Sequence, residues 1–269
     1  MSTATLEAPA QSAARQAAQA QPIPTTRLVS VELQKMFDTR SGFWLMMSIA
    51  IAAVLATTAT ILFAPDDELT QEAFAAAIGF PMAVILPMVA ILSVTSEWTQ
   101  RSGLTTFTLV PNRARVIGSK VLATLTVAVG SMVLALVVGA LGNVLGSAIA
   151  GVDTTWDVSL QEFLLIILAN VLGMLIGFML GLVIRNSPGA IVGYFVISFV
   201  LPGLFMALAN FQDWFEDVWP WIDFNYAQGA LFNGHLTGEE WANLGVTGII
   251  WLVIPTAIGL RMVMRSEVK

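Results

Sequence analysis

The feature that most constrains this chain is a series of six long runs without Asp, Glu, Lys, Arg or His. Crossing the roughly 30 Å hydrocarbon core of a bilayer at about 1.5 Å per residue takes about 20 such residues. Backbone groups in lipid must be paired within their own segment, so the runs must be helices. The sequence therefore predicts an all-α integral membrane protein. Its six transmembrane helices are expected over about residues 42–64, 73–96, 121–150, 163–184, 188–210 and 243–262.

Prolines modify three of these expected helices. Pro81 and Pro87 predict that the second span is kinked or broken, because proline lacks the backbone N–H and collides with the preceding turn. Pro202 and Pro255 predict kinks in the fifth and sixth spans.

Composition agrees with the membrane interpretation. Charged residues make up only 11% of the chain, against about 25% in soluble domains. Cysteine is absent and there is one histidine, so neither a disulfide framework nor a zinc site is expected.

The charges are divided between the two ends of the spans. All 12 Lys and Arg residues lie before the first span, at or beyond the end of the sixth, or in the connections that follow the second and fourth. The connections after the first, third and fifth spans contain acids and no Lys or Arg. The positive-inside rule therefore predicts that both termini are cytoplasmic, and we expect a multi-pass protein of a bacterial cell membrane.

The regions outside the spans have three distinct compositions. Residues 1–24 are of low complexity and predict a disordered cytoplasmic tail. Residues 25–40, which include Glu32 and Lys35, have apolar residues at helical spacing and predict an amphipathic helix in the membrane interface, with a plain solvated helix as the alternative. Residues 211–241 are dense in aromatic residues and predict short external helices between spans five and six, at or in the outer leaflet.

Within the spans, small residues and two amides stand out. Gly173, Gly177 and Gly181 recur at intervals of four and share one face of the fourth span, which predicts close helix packing. That face could instead form a dimer seam or the wall of a translocation pathway. Asn143 and Asn170 are the polar residues nearest the bilayer centre. For both, hydrogen bonding between helices is favoured over a role in a substrate site. The lack of ionisable groups there disfavours an ion-coupled transporter.

The most specific pattern is the stretch EWTQRSGLTTFTLVPNRARVIGSK at residues 97–120, expected as the longest cytoplasmic connection. An acidic helix end is followed by a glycine-containing turn and a basic return to the membrane. Arg113, Arg115 and Lys120 would face anionic lipid or an acidic partner, and a simple positive-inside loop is equally compatible with them.

This stretch resembles the segment that follows the second span in permease subunits of ABC-2 type transporters, E-[WF]-x-x-G-T-x-x-x-T-L-x-x-P-x-R. Here two residues are inserted before the glycine, one is missing before the proline, and Leu104 replaces a threonine. The series Glu32, Lys35, Arg40 and Ser41 is similar to the family's connecting helix. The resemblance implies that residues 25–269 form an ABC-2 type transmembrane domain.

The resemblance also implies partners and residue roles. Two permease chains, here expected to be a homodimer, would associate with two cytoplasmic ABC ATPase subunits. The residues that match the ATPase-coupling segment are Glu97, Arg101, Gly103, Pro111 and Arg113. Glu32 and Lys35 would belong to the interfacial helix that also touches the ATPase.

The sequence contains no G-x-x-x-x-G-K-[ST] motif for ATP phosphates. We therefore expect that the chain is not an enzyme, binds no cofactor, and relies on ATP bound to its partner subunit. The expected partners are that ATPase, a second permease copy and membrane lipids, with no nucleic acid. The expected function is export of a hydrophobic or amphipathic substrate. The alternative is a non-transporting assembly factor, sensor or anchor that recruits a cytoplasmic partner.

Overall fold

The computed structural model describes residues 23–99 and 112–265. Within these ranges the chain is helical and contains no β-strand. Six helices are long and apolar enough to cross a membrane, which confirms the predicted all-α architecture. The spans are Arg40–Phe63, Gln71–Thr99, Arg113–Ala150, Leu160–Ile184, Ser187–Phe211 and Gly238–Arg265. The tail predicted over residues 1–24 lies almost entirely outside the described residues.

A further helix, Thr25–Asp38, precedes the first span and is called the N-terminal helix below. Thr39 follows this helix, and its side chain accepts a hydrogen bond from Gly42 N, which caps the start of the next helix. The N-terminal helix packs against the first and third spans. Its Glu32 and Met36 are buried in that contact, while its location in a membrane interface stays a prediction.

The connection between the second and third spans is much shorter than expected. The second helix continues to Thr99 and the third begins at Arg113, where the Asn112 side chain accepts a hydrogen bond from Arg115 N. The third helix therefore begins eight residues before residue 121, where the apolar span was predicted to start. At 1.5 Å per residue its 38 residues extend roughly 57 Å, well beyond a hydrocarbon core of about 30 Å.

The second span runs as one helix through Pro81 and Pro87, so the alternative of a broken helix is wrong. Pro87 has no N–H to donate to the carbonyl of Ala83, four residues earlier. The Tyr194 hydroxyl of the fifth span donates to that oxygen at 2.6 Å. A side chain from a neighbouring helix thus replaces the backbone hydrogen bond that the proline removes.

The fifth and sixth spans each contain one π-helical turn just before a proline. The turns are Val196–Val200, before Pro202, and Ile249–Val253, before Pro255. In both, a backbone N–H bonds five residues back, as Leu201 N does to Val196 O. The prolines predicted to kink these helices therefore coincide with local widening of the helix.

Short helices connect the fifth and sixth spans, as the aromatic composition predicts: Asp213–Ile222, Phe224–Gly229 and the 3-10 turn Ala230–Asn233. The side chains of Phe224, Ala227 and Leu231 are buried in a core that they share with the second, fourth and fifth spans. This connection is therefore packed into the end of the helical bundle.

Candidate functional site

Four charged side chains from three helices meet at the end of the bundle that carries the Lys and Arg residues, called the basic end below. Glu32 and Lys35 come from the N-terminal helix, Glu97 from the last turns of the second span, and Lys120 from the second turn of the third. The side chains of Glu32, Glu97 and Lys120 are only 7%, 7% and 5% exposed. These four residues are called the charge cluster below.

Lys120 is the centre of the charge cluster. Its Nζ lies 2.5 Å from Glu32 Oε2 and 3.1 Å from Glu97 Oε1, and it donates to the Ser93 carbonyl at 3.2 Å. An ammonium group has three N–H donors, and here it has three oxygen neighbours. One buried side chain therefore links the N-terminal helix to the second and third spans.

Lys35 closes the cluster on its solvent side. Its Nζ lies 2.6 Å from Glu32 Oε1 and 3.7 Å from Glu97 Oε1, and its side chain is 45% exposed. The contacts of Glu97 Oε1 with the two lysines are electrostatic, since this atom has no hydrogen-bond partner in the described part of the chain. Two acids and two bases balance in charge, which buried ions require.

The pKa of Glu32 shows the balance of forces in the cluster. Burial by itself would raise the pKa of this carboxyl, because it disfavours the charged form. The charge of Lys120, its hydrogen bond and the contacts with Lys35 outweigh burial, so the pKa lies below its ordinary value. Glu32 is therefore a carboxylate at neutral pH.

This geometry corrects the expected placement of Lys120. The sequence places it beside anionic lipid or an acidic partner, whereas its side chain is buried between two carboxylates of its own chain. The carboxylates of Glu32 and Glu97 likewise face that interior. Contact of Glu32, Lys35 or Glu97 with an ATPase stays a prediction.

Two arginines hold the start of the third span. Arg113 Nη1 donates to the carbonyl of Val263, near the end of the sixth span, at 2.8 Å. Arg115 Nη2 donates to the carbonyl of Ile23, just before the N-terminal helix. The third span is thus attached to both ends of the described chain. Of the other predicted coupling residues, Arg101, Gly103 and Pro111 lie outside the described residues.

The three glycines of the fourth span have different neighbours. A Cβ at Gly177 would lie 2.6 Å from Pro87 O, and one at Gly181 would lie 3.0 Å from Val94 Cβ. Both glycines therefore face the second span at close range within the same chain. A Cβ at Gly173 would instead lie 3.2 Å from Gln228 Nε2, a side chain of the short helices.

Sequence reasoning overlooked the roles of Lys120 and Ser93. One signal was present: no proline separates Arg113 from the apolar run that follows, so Lys120 could have been assigned to the helix. The pairing of Lys120 with Glu32, 88 residues away, has no signal in a single sequence.

The helices and the charge cluster describe a multi-pass membrane protein whose N-terminal helix is fixed by ion pairs to the second and third spans. Residues 28–203, well over half of the chain, match the family described as ABC-2 family transporter protein. The chain therefore belongs to the ABC-2 transporter family. A search of curated proteins finds no match.

Proposed function

We propose that this chain is the permease subunit of an ATP-driven exporter, acting as a homodimer with ATP hydrolysed on separate cytoplasmic subunits. Membership of the family makes the chain a membrane component of an ABC transporter, a class that works with an ABC ATPase. The proposal adds the direction of transport, the homodimer and the route of coupling. It also places the basic end in the cytoplasm, as the distribution of Lys and Arg predicts.

The observation that carries the proposed coupling is the position of Lys120 between Glu32 and Glu97. The segment 100–112 joins the two spans that Lys120 links, so an ATPase that displaces this segment would move both spans. The N-terminal helix would move with them, because Glu32 fixes it to the same ammonium group. Such coupling requires that the ATPase has different affinities for two permease conformations.

A hydrophobic or amphipathic substrate suits the interior of this bundle. The charged side chains that the structure describes lie near the ends of the spans, and the buried residues between those ends are mostly apolar. A charged substrate would lose its hydration there without gaining an ionic partner.

The proposal can be tested by purifying the chain with its ATPase and reconstituting the complex in vesicles. ATP hydrolysis is then compared for the native complex, the Glu97→Gln variant and the Arg27→Ala variant. Arg27 is an exposed base of the N-terminal helix outside the charge cluster and serves as the matched control.

We expect Glu97→Gln to retain the ATPase but lose the effect of the permease on hydrolysis, and Arg27→Ala to behave as the native chain. A permease that never co-purifies with an ATPase would overturn the proposal. Native hydrolysis by the Glu97→Gln complex would overturn the coupling route.

A further inference from the structure

A cavity of about 190 Å³ lies away from the charge cluster, among the second, fourth and fifth spans and the short helices that follow the fifth. The second span contributes Phe80 and the fourth contributes Asn170. The short helices contribute Asn225, Gln228 and Phe232. Asn170 lies ten residues after Leu160, the first residue of the fourth span, so the cavity lies roughly 15 Å along that helix.

The walls of this cavity include five aromatic side chains and open to the outside of the bundle. Phe80, Tyr194, Phe199, Phe224 and Phe232 all line it. Phe80 is 71% exposed and Phe199 is 46% exposed, whereas Phe224 is buried. The aromatic surface therefore continues from the buried wall to the outside of the bundle, where lipid would lie.

Two polar side chains of the cavity wall are used to satisfy the backbone next to prolines. The Tyr194 hydroxyl donates to the Ala83 carbonyl, which Pro87 leaves without its helical partner. Asn225 Nδ2 donates to Ile197 O at 3.0 Å. In the π turn that oxygen would bond to the residue five positions later, which is Pro202 and has no N–H.

Each of the three side-chain amides of the wall donates through its nitrogen to a backbone carbonyl oxygen. Asn170 Nδ2 donates to Ile166 O at 2.9 Å and Gln228 Nε2 donates to Ala169 O at 2.6 Å. A carbonyl can only accept, so these contacts identify the nitrogen end of each amide, and the same holds for Asn225. The Asn170 side chain bonds to its own helix and not to a neighbouring one.

The oxygen ends of these amides are therefore left as acceptors. Asn170 is only 3% exposed, and its Oδ1 has no hydrogen-bond partner among the residues that the structure describes. A buried amide oxygen without a partner is destabilising, and a bound donor would remove that penalty. The described lining includes no charged residue, so the cavity is lined by aromatic faces and by the three amide side chains.

We propose that this cavity binds an amphipathic molecule that presents a hydrogen-bond donor, a hydroxyl or an amine, to the amide oxygens. Its apolar or aromatic part would lie against Phe199 and Phe80 and extend into the bilayer. Asn170 is the specificity-determining residue, and Gly173 lets Gln228 approach the fourth span. The claim that such molecules are the substrates of the exporter rests on the proposed function. The claim that the cavity binds them does not.

The test measures binding to the full chain in lipid nanodiscs without an ATPase, so that a failure of coupling cannot affect it. The probes are 4-octylphenol, 4-octylaniline and 4-octylanisole, which share one apolar body. The first two carry a donor and the third carries only an acceptor. The variant Asn170→Leu removes the amide, and Gly229→Leu fills the cavity at a lining position where a Cβ meets nothing within 4 Å.

The matched control is Gly203→Leu, in the fifth span, where a Cβ also meets nothing within 4 Å and which does not line the cavity. We expect the phenol or the aniline to bind the native chain about tenfold more tightly than the anisole, the equivalent of about 1.4 kcal/mol. Asn170→Leu should remove that preference, Gly229→Leu should weaken all three probes, and Gly203→Leu should change nothing.

Equal binding of all three probes to the native chain would identify an apolar lipid site and overturn the proposal. Native binding by Gly229→Leu would place the probes elsewhere and overturn it as well. If the ATPase fails to co-purify while the donor preference depends on Asn170, only the proposed function is overturned.

Discussion

At the basic end, the buried ammonium group of Lys120 lies between the carboxylates of Glu32 and Glu97. The variant Lys120→Met would leave the carboxylates of Glu32 and Glu97 buried without a central cation. Removing one member of a buried ion pair costs about 3–5 kcal/mol. We therefore expect a clearly lower unfolding temperature in detergent, measured by tryptophan fluorescence.

Two further variants separate charge from packing at the same place. Lys35→Met removes a lysine that is 45% exposed and should cost only about 0–1 kcal/mol. The triple variant Glu32→Gln, Glu97→Gln, Lys120→Met removes every buried charge and should recover part of the stability that Lys120→Met loses. A Lys120→Met variant as stable as the native chain would contradict the role of Lys120.

The pKa of Glu32 gives the charge cluster a defined pH dependence. Because this pKa is lowered on folding, the contribution of Glu32 is complete above the unfolded pKa of a glutamate, about 4.3. It is lost as the pH falls through the lower folded value. The difference in unfolding temperature between the native chain and Glu32→Gln should therefore be constant from about pH 6 to 8 and shrink in acid. A difference that grows in acid would contradict this assignment.

Among the helical elements, the second and fourth spans approach each other closely at Gly177. In the variant Gly177→Ala the new Cβ would lie 2.6 Å from Pro87 O and 2.9 Å from Pro87 Cα. Both are backbone atoms, so the two helices must separate. We expect a loss of about 1–3 kcal/mol in the free energy of unfolding, typical of overpacking.

The matched control for that prediction is Gly130→Ala in the third span, where a Cβ meets nothing within 4 Å. It should be neutral or stabilising, since alanine favours a helix over glycine by up to about 1 kcal/mol. If chemical denaturation shows that both substitutions change the free energy of unfolding equally, the close approach at Pro87 does not determine the stability of this helix pair.

The limits of sequence-based prediction are clearest for the third span. Its apolar run begins at Val121, and a lysine just before it is typical of a loop. The helix nevertheless begins at Arg113, capped by Asn112, and carboxylates from two other helices compensate the charge of Lys120 within it. A hydropathy argument has no access to that compensation, which depends on tertiary contacts. The continuity of the second span through Pro87 is similar, since the donor to Ala83 O comes from Tyr194 on another helix.

For the whole molecule, the sequence was sufficient for the six spans and the family, because hydrophobic length and a local motif are properties of contiguous residues. The cavity was not predictable in this way. The sequence favours Asn170 as a link between helices. In the structure its nitrogen donates to Ile166 O in its own helix, and its oxygen has no hydrogen-bond partner among the described residues. Sites built from several helices require distances between residues far apart in the chain.

Arg113 connects the start of the third span to the end of the sixth through Val263 O. A substitution at Arg113 should therefore affect more of the molecule than the third span alone. In Arg113→Glu a carboxylate would face that carbonyl oxygen, and two acceptors cannot form a hydrogen bond. The spans themselves are unchanged, so membrane insertion should remain native. We expect the reconstituted complex to lose ATPase assembly or substrate-stimulated hydrolysis, measured with membrane yield as the reference.

Arg27→Glu makes the same charge change at an exposed position of the N-terminal helix and should retain both activities. Unchanged stimulation in Arg113→Glu would remove the start of the third span from the coupling route and leave the charge cluster as its remaining basis.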